Sequence, residues 1–450
     1  QGVKAGSGNV TLSLANAGAA GTVVENFGVG NSVTYAGGPY GTNVTITPTA
    51  DLTALQDYHL SYPSGAFTNI GGDVSYVGTA YTFKGRAYNN QLMSWGSNNY
   101  GALGHNSRTK YSSPVQVPGT TWANVCQNGG SGMWHTAATK TDGTLWTMGY
   151  ETNGQLGLND LTNRSSPTQV GSDTTWPKDA ATNASTLVIG SGYCTTAIKT
   201  DGTLWTWGEN QVGQLGDNSR VFKSSPVQVP GTTWKSVSIG DVHATATKTD
   251  GTLWVWGGNN EGVLGLNNNT KYSSPVQVPG TNWNYSACGN YQIAALKTDG
   301  TLWVWGQGGY GALGQNDVVQ RSSPTQIPGT NWASVKGSNQ RMLGTKTDGT
   351  LWAWGDSGQG QLAQNDRTQR SSPTQIPGTN WGTEVKDLSL NYEIVTAIKT
   401  DGTLWAWGDA TGGEADNNEA IRKSSPTQIP GTSWYKMGGG YRNILGIMQV

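Results

Sequence analysis

The sequence predicts an all-β chain of 450 residues: a seven-bladed β-propeller closed by pairing of its two ends, preceded by a smaller β-domain. Three observations predict it. From about residue 88 onward a unit of about 50 residues repeats, a period that belongs to propellers and solenoids. Each unit carries short alternating runs separated by Asp-Gly and Pro-Gly turns, with no helical period anywhere. The array opens on half a unit and closes on the complementary half.

The repeat itself reads KTDGTLW-x-WG, as at 248–257 and 297–306, followed by GxLG and then SSP-x-Q-[VI]-PGT-x-W. Its marker glycine falls at Gly96, Gly149, Gly208, Gly257, Gly306, Gly355 and Gly408, which makes seven units. Asp-Gly pairs such as Asp250-Gly251 sit between two alternating runs, a strong signal for a tight hairpin. Four short strands per unit describe a propeller blade better than a solenoid coil. The first unit starts at its outer half, Gln91 to Gly96, and residues 434–450 align with the inner halves and stop before any DGTLW. The C-terminus is therefore expected to supply two strands to a blade whose other two come from residues 90–118, leaving no open sheet edge.

Twenty tryptophans against four phenylalanines suggest stacking platforms, but nineteen occupy two repeat-locked places, the DGTLWxWG strand and the residue after PGT-x. A pair at i and i+2, such as Trp254 and Trp256, shares one face of a strand, so these indoles are expected to pack blade against blade. Trp134 alone is off the pattern.

Residues 1–86 form a separate β-domain, and 87–450 the propeller. The N-terminal region shows short alternating runs at Val10, Leu12, Leu14; Val44, Ile46; Tyr58, Leu60, Tyr62; and Tyr81, Phe83, each read as a half-buried strand. Lys84-Gly85-Arg86 passes into the first blade without a flexible linker.

The repeat wording resembles the regulator-of-chromosome-condensation family, whose blades carry G-x-x-H, a DG turn, a WG strand end and N-x-x-GQLG; the match is close at 240–265 and 202–216. The family histidine stands at His135 and His243, while Tyr193, Tyr291, Asn339, Tyr392 and Tyr441 stand near that point in other units and read as structural. Residues 42–83 resemble the bacterial immunoglobulin-like domains of S-layer and large surface proteins, which implies an Ig-like β-sandwich that begins partway into the domain. An upstream stretch or a strand from a neighbouring chain would complete it. Together the two resemblances imply a non-enzymatic surface module: a phage virion protein (capsid, tail fibre or decoration) that recognises a host surface or glycan, or else a bacterial adhesin or filament protein. Its N-terminal domain would contact other virion or surface chains, at a virion, extracellular or cell-surface location. Guanine-nucleotide exchange, the best-known activity of the eukaryotic branch, is the further alternative.

Composition narrows the partners. Charged residues are 12% of the chain, the net charge is −1 and no Lys/Arg run occurs, so nothing marks a nucleic-acid or anionic-membrane binder. No apolar run reaches the ~20 residues of a membrane span. Cys126, Cys194 and Cys288 lie far apart without metal-ligand spacing and read as buried free thiols. The histidines are His59, His105, His135 and His243; none sits in a nucleophile, metalloprotease or phosphate-loop motif, so no catalytic residue, cofactor or metal is expected. Most aspartates belong to the hairpin turns, and the LGxN loops lack the acidic density of a calcium site.

The repeat breaks its own length in one place. From marker Gly to SSP the count is constant, as from Gly96 to Ser112. From the PGT-type Trp to the strand Lys it is 14 residues for Trp234 to Lys248, but 18 for Trp122 to Lys140 and Trp381 to Lys399, and 23 for Trp176 to Lys199. These insertions are expected in the loop between the innermost strand and the next, all on one face with the LGxN loops, where a rigid scaffold places recognition. The candidate binding residues are Asn128, Trp134, Lys178, Asn183, Tyr193, Lys386, Tyr392 and Glu393.

Overall fold

The computed structural model describes residues 90–129, 134–178, 186–190, 193–409 and 422–449, and, within 1–89, the backbone of eight strands. The chain divides into two compact units, 1–89 and 90–450.

In the larger unit the local chemistry of the repeat sets each hairpin. The turn aspartate, as at Asp250, accepts hydrogen bonds from the backbone N and the Oγ1 of Thr252 at 2.9 and 2.7 Å, and Thr252 in turn accepts from Trp254 Nε1 at 2.9 Å. One DGTxW string thus closes a turn and fixes an indole. The marker glycine has a different cause. Gly257 has φ +98°, and a Cβ there would lie 2.4 Å from the carbonyl oxygen of Val242. Only glycine lets the third strand pass that close to the loop before the second.

Seven blade sheets follow, as the repeat count predicts, each with four antiparallel strands. Blade 4 is typical: Trp234–Ile239, His243–Lys248, Leu253–Gly257 and Tyr272–Val278 pair in sequence order. Blade 1 closes the ring in the predicted way, with Trp434–Gly439 and Asn443–Gln449 from the C-terminus paired to Asn90–Gly96 and Tyr111–Gln116. The register Ile444↔Trp95 through Gln449↔Asn90 is unbroken, so the two ends of the propeller unit share one sheet.

The core lies between the blades. Trp256 of blade 4 is buried with Leu215 and Val229 of blade 3 and with Trp234 and Val237 of its own blade. Its Nε1 donates to Gln214 O of blade 3 at 2.9 Å, and Trp207, Trp354 and Trp407 repeat that bond at their own junctions. The blade-to-blade role read from the tryptophan spacing holds. The LGxN asparagine is likewise a clamp: Asn218 adopts φ +61° and its Oδ1 accepts from Ser274 Oγ of the next blade at 3.1 Å.

Unit 1–89 contains a four-stranded sheet of Ala19–Gly28, Asn9–Asn16, Asp57–Ser61 and Tyr81–Lys84, and two strand pairs, Val3–Ala5 with Phe67–Asn69 and Val33–Ala36 with Asn43–Ile46. The four alternating runs of the sequence fall on these strands, apart from Tyr62, which lies outside the described residues. The predicted domain boundary at 86/87 lies outside the described residues.

Candidate functional site

In each blade the turns joining strands one to two and three to four lie at one end of the sheet. The Asp-Gly turns and the Pro-Gly connections lie at the other. The first end carries an arc of six half-buried rings drawn from blades 7, 1, 2 and 3. Tyr392 stacks on Tyr441 at 4.9 Å, and Trp134 meets Tyr441 edge-on at 6.1 Å. Tyr100 stacks on Trp134 at 4.9 Å, Tyr150 touches both at 4.5 and 5.6 Å, and Tyr193 extends the arc 5.9 Å beyond Tyr150.

This arc corrects one sequence expectation. The residues opposite the marker glycines are His135, Cys194, His243, Gln292, Arg341, Ile394 and Asn443, all buried. Tyr193, Tyr291, Tyr392 and Tyr441 lie one or two residues earlier, in the loop, and are half-exposed rather than structural core. In a period-2 element a slip of one residue changes the face a side chain occupies.

Charge around the arc is uneven. Glu393 pairs with Arg442 at 2.6 Å, and the buried Arg341 with Asp356 at 3.0 Å while also donating to Tyr392 O at 2.5 Å. On the side of blades 3 and 4, Glu209 and Asp241 have no cation within ion-pair distance among the described residues. Asn153 Nδ2 donates to Glu209 at 3.2 Å and Tyr291 Oη to Asp241 at 3.0 Å. Burial and then the Asp241 charge raise the Glu209 pKa, and burial raises that of Tyr193. Large rigid rings with polar tips, beside carboxylates, make a surface suited to protein recognition.

The structure separates the predicted site residues. Trp134, Tyr193, Tyr392 and Glu393 come together at this end, although Glu393 is spent on Arg442. Asn183 lies outside the described residues, as does the side chain of Asn128. Lys178 and Lys386 belong to the opposite end, which overturns the expectation that all three insertions crown one face. Lys178 is exposed beside the Asp142-Gly143 turn. Lys386 sits 4.3 Å above the Tyr435 ring, with Glu384 at 3.4 Å and Asp387 at 3.6 Å, and is a packed cation. In blades 3 and 7 the extra residues precede the innermost strands, Leu187–Gly190 and Leu388–Leu390, whereas the Trp-to-Lys count cannot tell one end of that strand from the other.

Blade 2 uses its extra residues in a third way. Strand Gln127–Gly129 pairs in parallel with Leu187–Gly190 and touches the innermost strands of blades 1, 6 and 7, so it lies across the centre of the ring. Gln127 Nε2 donates to Met437 O at 2.8 Å, Lys336 Nζ donates to Gln127 Oε1, and Lys436 Nζ donates to Asn124 Oδ1. Burial, with the Lys436 charge added, holds Lys336 well below the usual lysine range. The described histidines and cysteines offer no exposed nucleophile or base in the ring's interior. His135 and His243 are buried and burial holds each to about 3, while burial pushes the Cys126 and Cys288 thiols up to about 11.

The sequence profile of the RCC1-like domain matches residues 91–445. Ultraviolet-B receptor UVR8 of Arabidopsis thaliana is 33% identical over 139 residues, which are 31% of this chain and 30% of that protein. RCC1 domain-containing protein RUG3, mitochondrial, from the same plant is 30% identical over 165 residues, 34% and 35% of the two chains. The human X-linked retinitis pigmentosa GTPase regulator is 33% identical over 150 residues, 33% of this chain and 14% of that one. The chain thus spans about a third or less of the length of these curated relatives. Yeast RCC1 (Prp20), in a structure bound to Kap60, superposes with TM-score 0.69 at 17% identity, covering 81% of this chain and 90% of its own. Human WBSCR16 gives 0.67 at 17% identity over 81% and 99%. At that identity the structural likeness concerns the fold.

Proposed function

The chain belongs to the RCC1-like domain family, and on that premise we propose that it is a non-catalytic binding protein which presents the aromatic end of a rigid ring to a protein partner. The observation that carries the reading is the continuous arc of Tyr392, Tyr441, Trp134, Tyr100, Tyr150 and Tyr193. Rings of this size bury large area at low entropic cost and supply most hot spots of protein interfaces. One of the matched relatives is named a receptor and another a regulator, which favours a regulatory or binding role. The test is quantitative affinity capture with Trp134→Ala/Tyr441→Ala beside Lys178→Ala. Loss of the captured partner by about thirtyfold with the first variant, and retention with the second, is the expected outcome; the reverse pattern would refute it.

A small GTPase is the partner class that the relatives' names favour, since one of them is a GTPase regulator. Accelerated nucleotide release from a purified small GTPase, abolished by Trp134→Ala/Tyr441→Ala, would support this second reading. Display on a phage virion or a bacterial surface, with the N-terminal unit as an Ig-like attachment domain, is a separate proposal. It rests on the resemblance carried by residues 42–83, and the matched relatives lend it no support. Labelling this chain on intact particles or cells tests it, and signal confined to the cell interior would remove it.

A further inference from the structure

A second surface, between blades and beside the Asp-Gly turns and Pro-Gly connections, repeats the same chemistry at junction after junction. The Trp after PGT-x pairs across the first hairpin with the strand lysine, as in Trp234↔Lys248, and the first Trp of LWxW stands beside them. The lysine ammonium lies over both indoles: Lys248 at 4.7 Å from Trp234 and 4.6 Å from Trp254, and Lys346 at 5.1 Å from Trp332 and 4.3 Å from Trp352. Lys140, Lys199, Lys297 and Lys399 repeat the arrangement. At Lys199, Lys248 and Lys346 the pair opens into a cleft walled by the next SSP serine and proline. The clefts at Lys248 and Lys346 hold about 330 and 280 Å³, and that at Lys199 about 540 Å³.

The cleft at Lys199 shows what the lysines lack elsewhere. There the connection reads Gly171-Ser172-Asp173-Thr174-Thr175 in place of Pro-Gly-Thr-Thr, one residue longer. Asp173 enters the cleft, accepts from Thr175 N and Oγ1 at 2.8 and 2.7 Å, and ion-pairs with Lys199 Nζ. At the other five junctions no carboxylate stands within ion-pair distance of the lysine among the described residues. The hairpin aspartate two residues on is within electrostatic reach, but its Oδ1 is turned onto its own threonine, as in Asp250 with Thr252. An ammonium that satisfies itself on two π faces still has N–H groups to donate toward the open side.

We propose that the Trp–Lys sites at Lys140, Lys248, Lys297, Lys346 and Lys399 each receive an aspartate or glutamate side chain from an acidic, extended peptide segment of a partner. The chain's own Asp173 fills the equivalent place at Lys199. The repetition around the ring makes the surface multivalent, so a segment with several carboxylates gains from simultaneous engagement. This surface lies outside the aromatic arc, and the proposal stands or falls independently of it.

The test uses the full chain with 13Cε-labelled lysine and two probes, N-acetyl-aspartate N-methylamide and its asparagine counterpart. Lys→Met substitutions assign the resonances; blade 1 already holds Met448 opposite Trp434, so the fold accepts methionine there. Saturable shifts are expected at the five named lysines with the aspartate probe only. Lys199 should stay silent until Asp173→Asn frees it, when a sixth resonance joins. Shifts that Lys199 shares in the unsubstituted chain, equal shifts with the asparagine probe, or none up to saturating probe would each overturn the proposal. So would shifts with glucuronate but not with the aspartate probe, which would assign the clefts to a glycan instead.

Discussion

Replacing the two buried histidines should flatten the acid side of the stability profile by a calculable amount. His135 and His243 face Gly149 and Gly257 across the second hairpin and are fully buried; burial lowers each from 6.5 to about 3. Because the folded pKa is depressed, the unfolded chain binds more protons between about pH 3 and 6.5. Stability is therefore complete above 6.5 and declines as pH falls through that window. At pH 5 an unfolded imidazole lies about 1.5 pH units below its pKa, so each histidine costs about 2 kcal/mol and the pair about 4 kcal/mol. Glutamine is the natural substitute, since Gln292 holds the same position in blade 5, donating to Asn339 O of the next blade. Urea unfolding of the natural chain and of His135→Gln/His243→Gln, followed by tryptophan fluorescence at pH 7.5 and 5.0, gives the comparison. The variant should lose about 4 kcal/mol less on acidification. Buried carboxylates with raised pKa, Glu151 and Asp387 among them, are common to both proteins and drop out of the difference. Equal acid losses in the two proteins would refute the assignment of the slope to these imidazoles.

Other perturbations test the ring itself. Trp256→Ala removes a fully buried indole and its bond to Gln214 O, and should cost about 3–5 kcal/mol in thermal or denaturant unfolding. Deleting residues 434–450 leaves blade 1 with two strands and bares the edge of Asn90–Gly96; loss of the cooperative transition and aggregation are expected, read by calorimetry and light scattering. Lys336→Met removes a buried charge. Because the folded pKa of Lys336 lies below the unfolded value, the natural chain should gain stability relative to the variant as pH climbs from 7 toward 10.5, and equal pH responses would contradict the burial of that charge.

Much of the ring was legible because each repeat residue answers to chemistry within a few positions of itself. Asp250, Thr252 and Trp254 make one local chain of hydrogen bonds, and Gly257 is demanded by a carbonyl it would otherwise strike. Blade count and closure follow from counting such motifs. The surfaces were less legible. A length count from Trp to Lys spans both ends of the innermost strand, so it put Lys178 and Lys386 on the wrong face. The parallel pairing of Gln127–Gly129 with Leu187–Gly190 joins residues about 60 apart without periodicity to announce it. The aromatic arc draws on six rings from four blades at offsets that differ by a residue or more, which only the folded ring brings together. The Trp–Lys clefts, by contrast, had a signal in the sequence: a tryptophan and a lysine 14 residues apart that the hairpin register makes direct partners, as Trp234 and Lys248 are.

Hydrogen exchange of this chain, alone and with its captured partner, measures the recognition surface without assuming what the partner is. Protection is predicted in the peptides that carry Trp134, Tyr150, Tyr193, Tyr392 and Tyr441, with the Asp-Gly turns of the opposite end unchanged. Protection of the Asp-Gly turns with none at the aromatic arc would contradict the account.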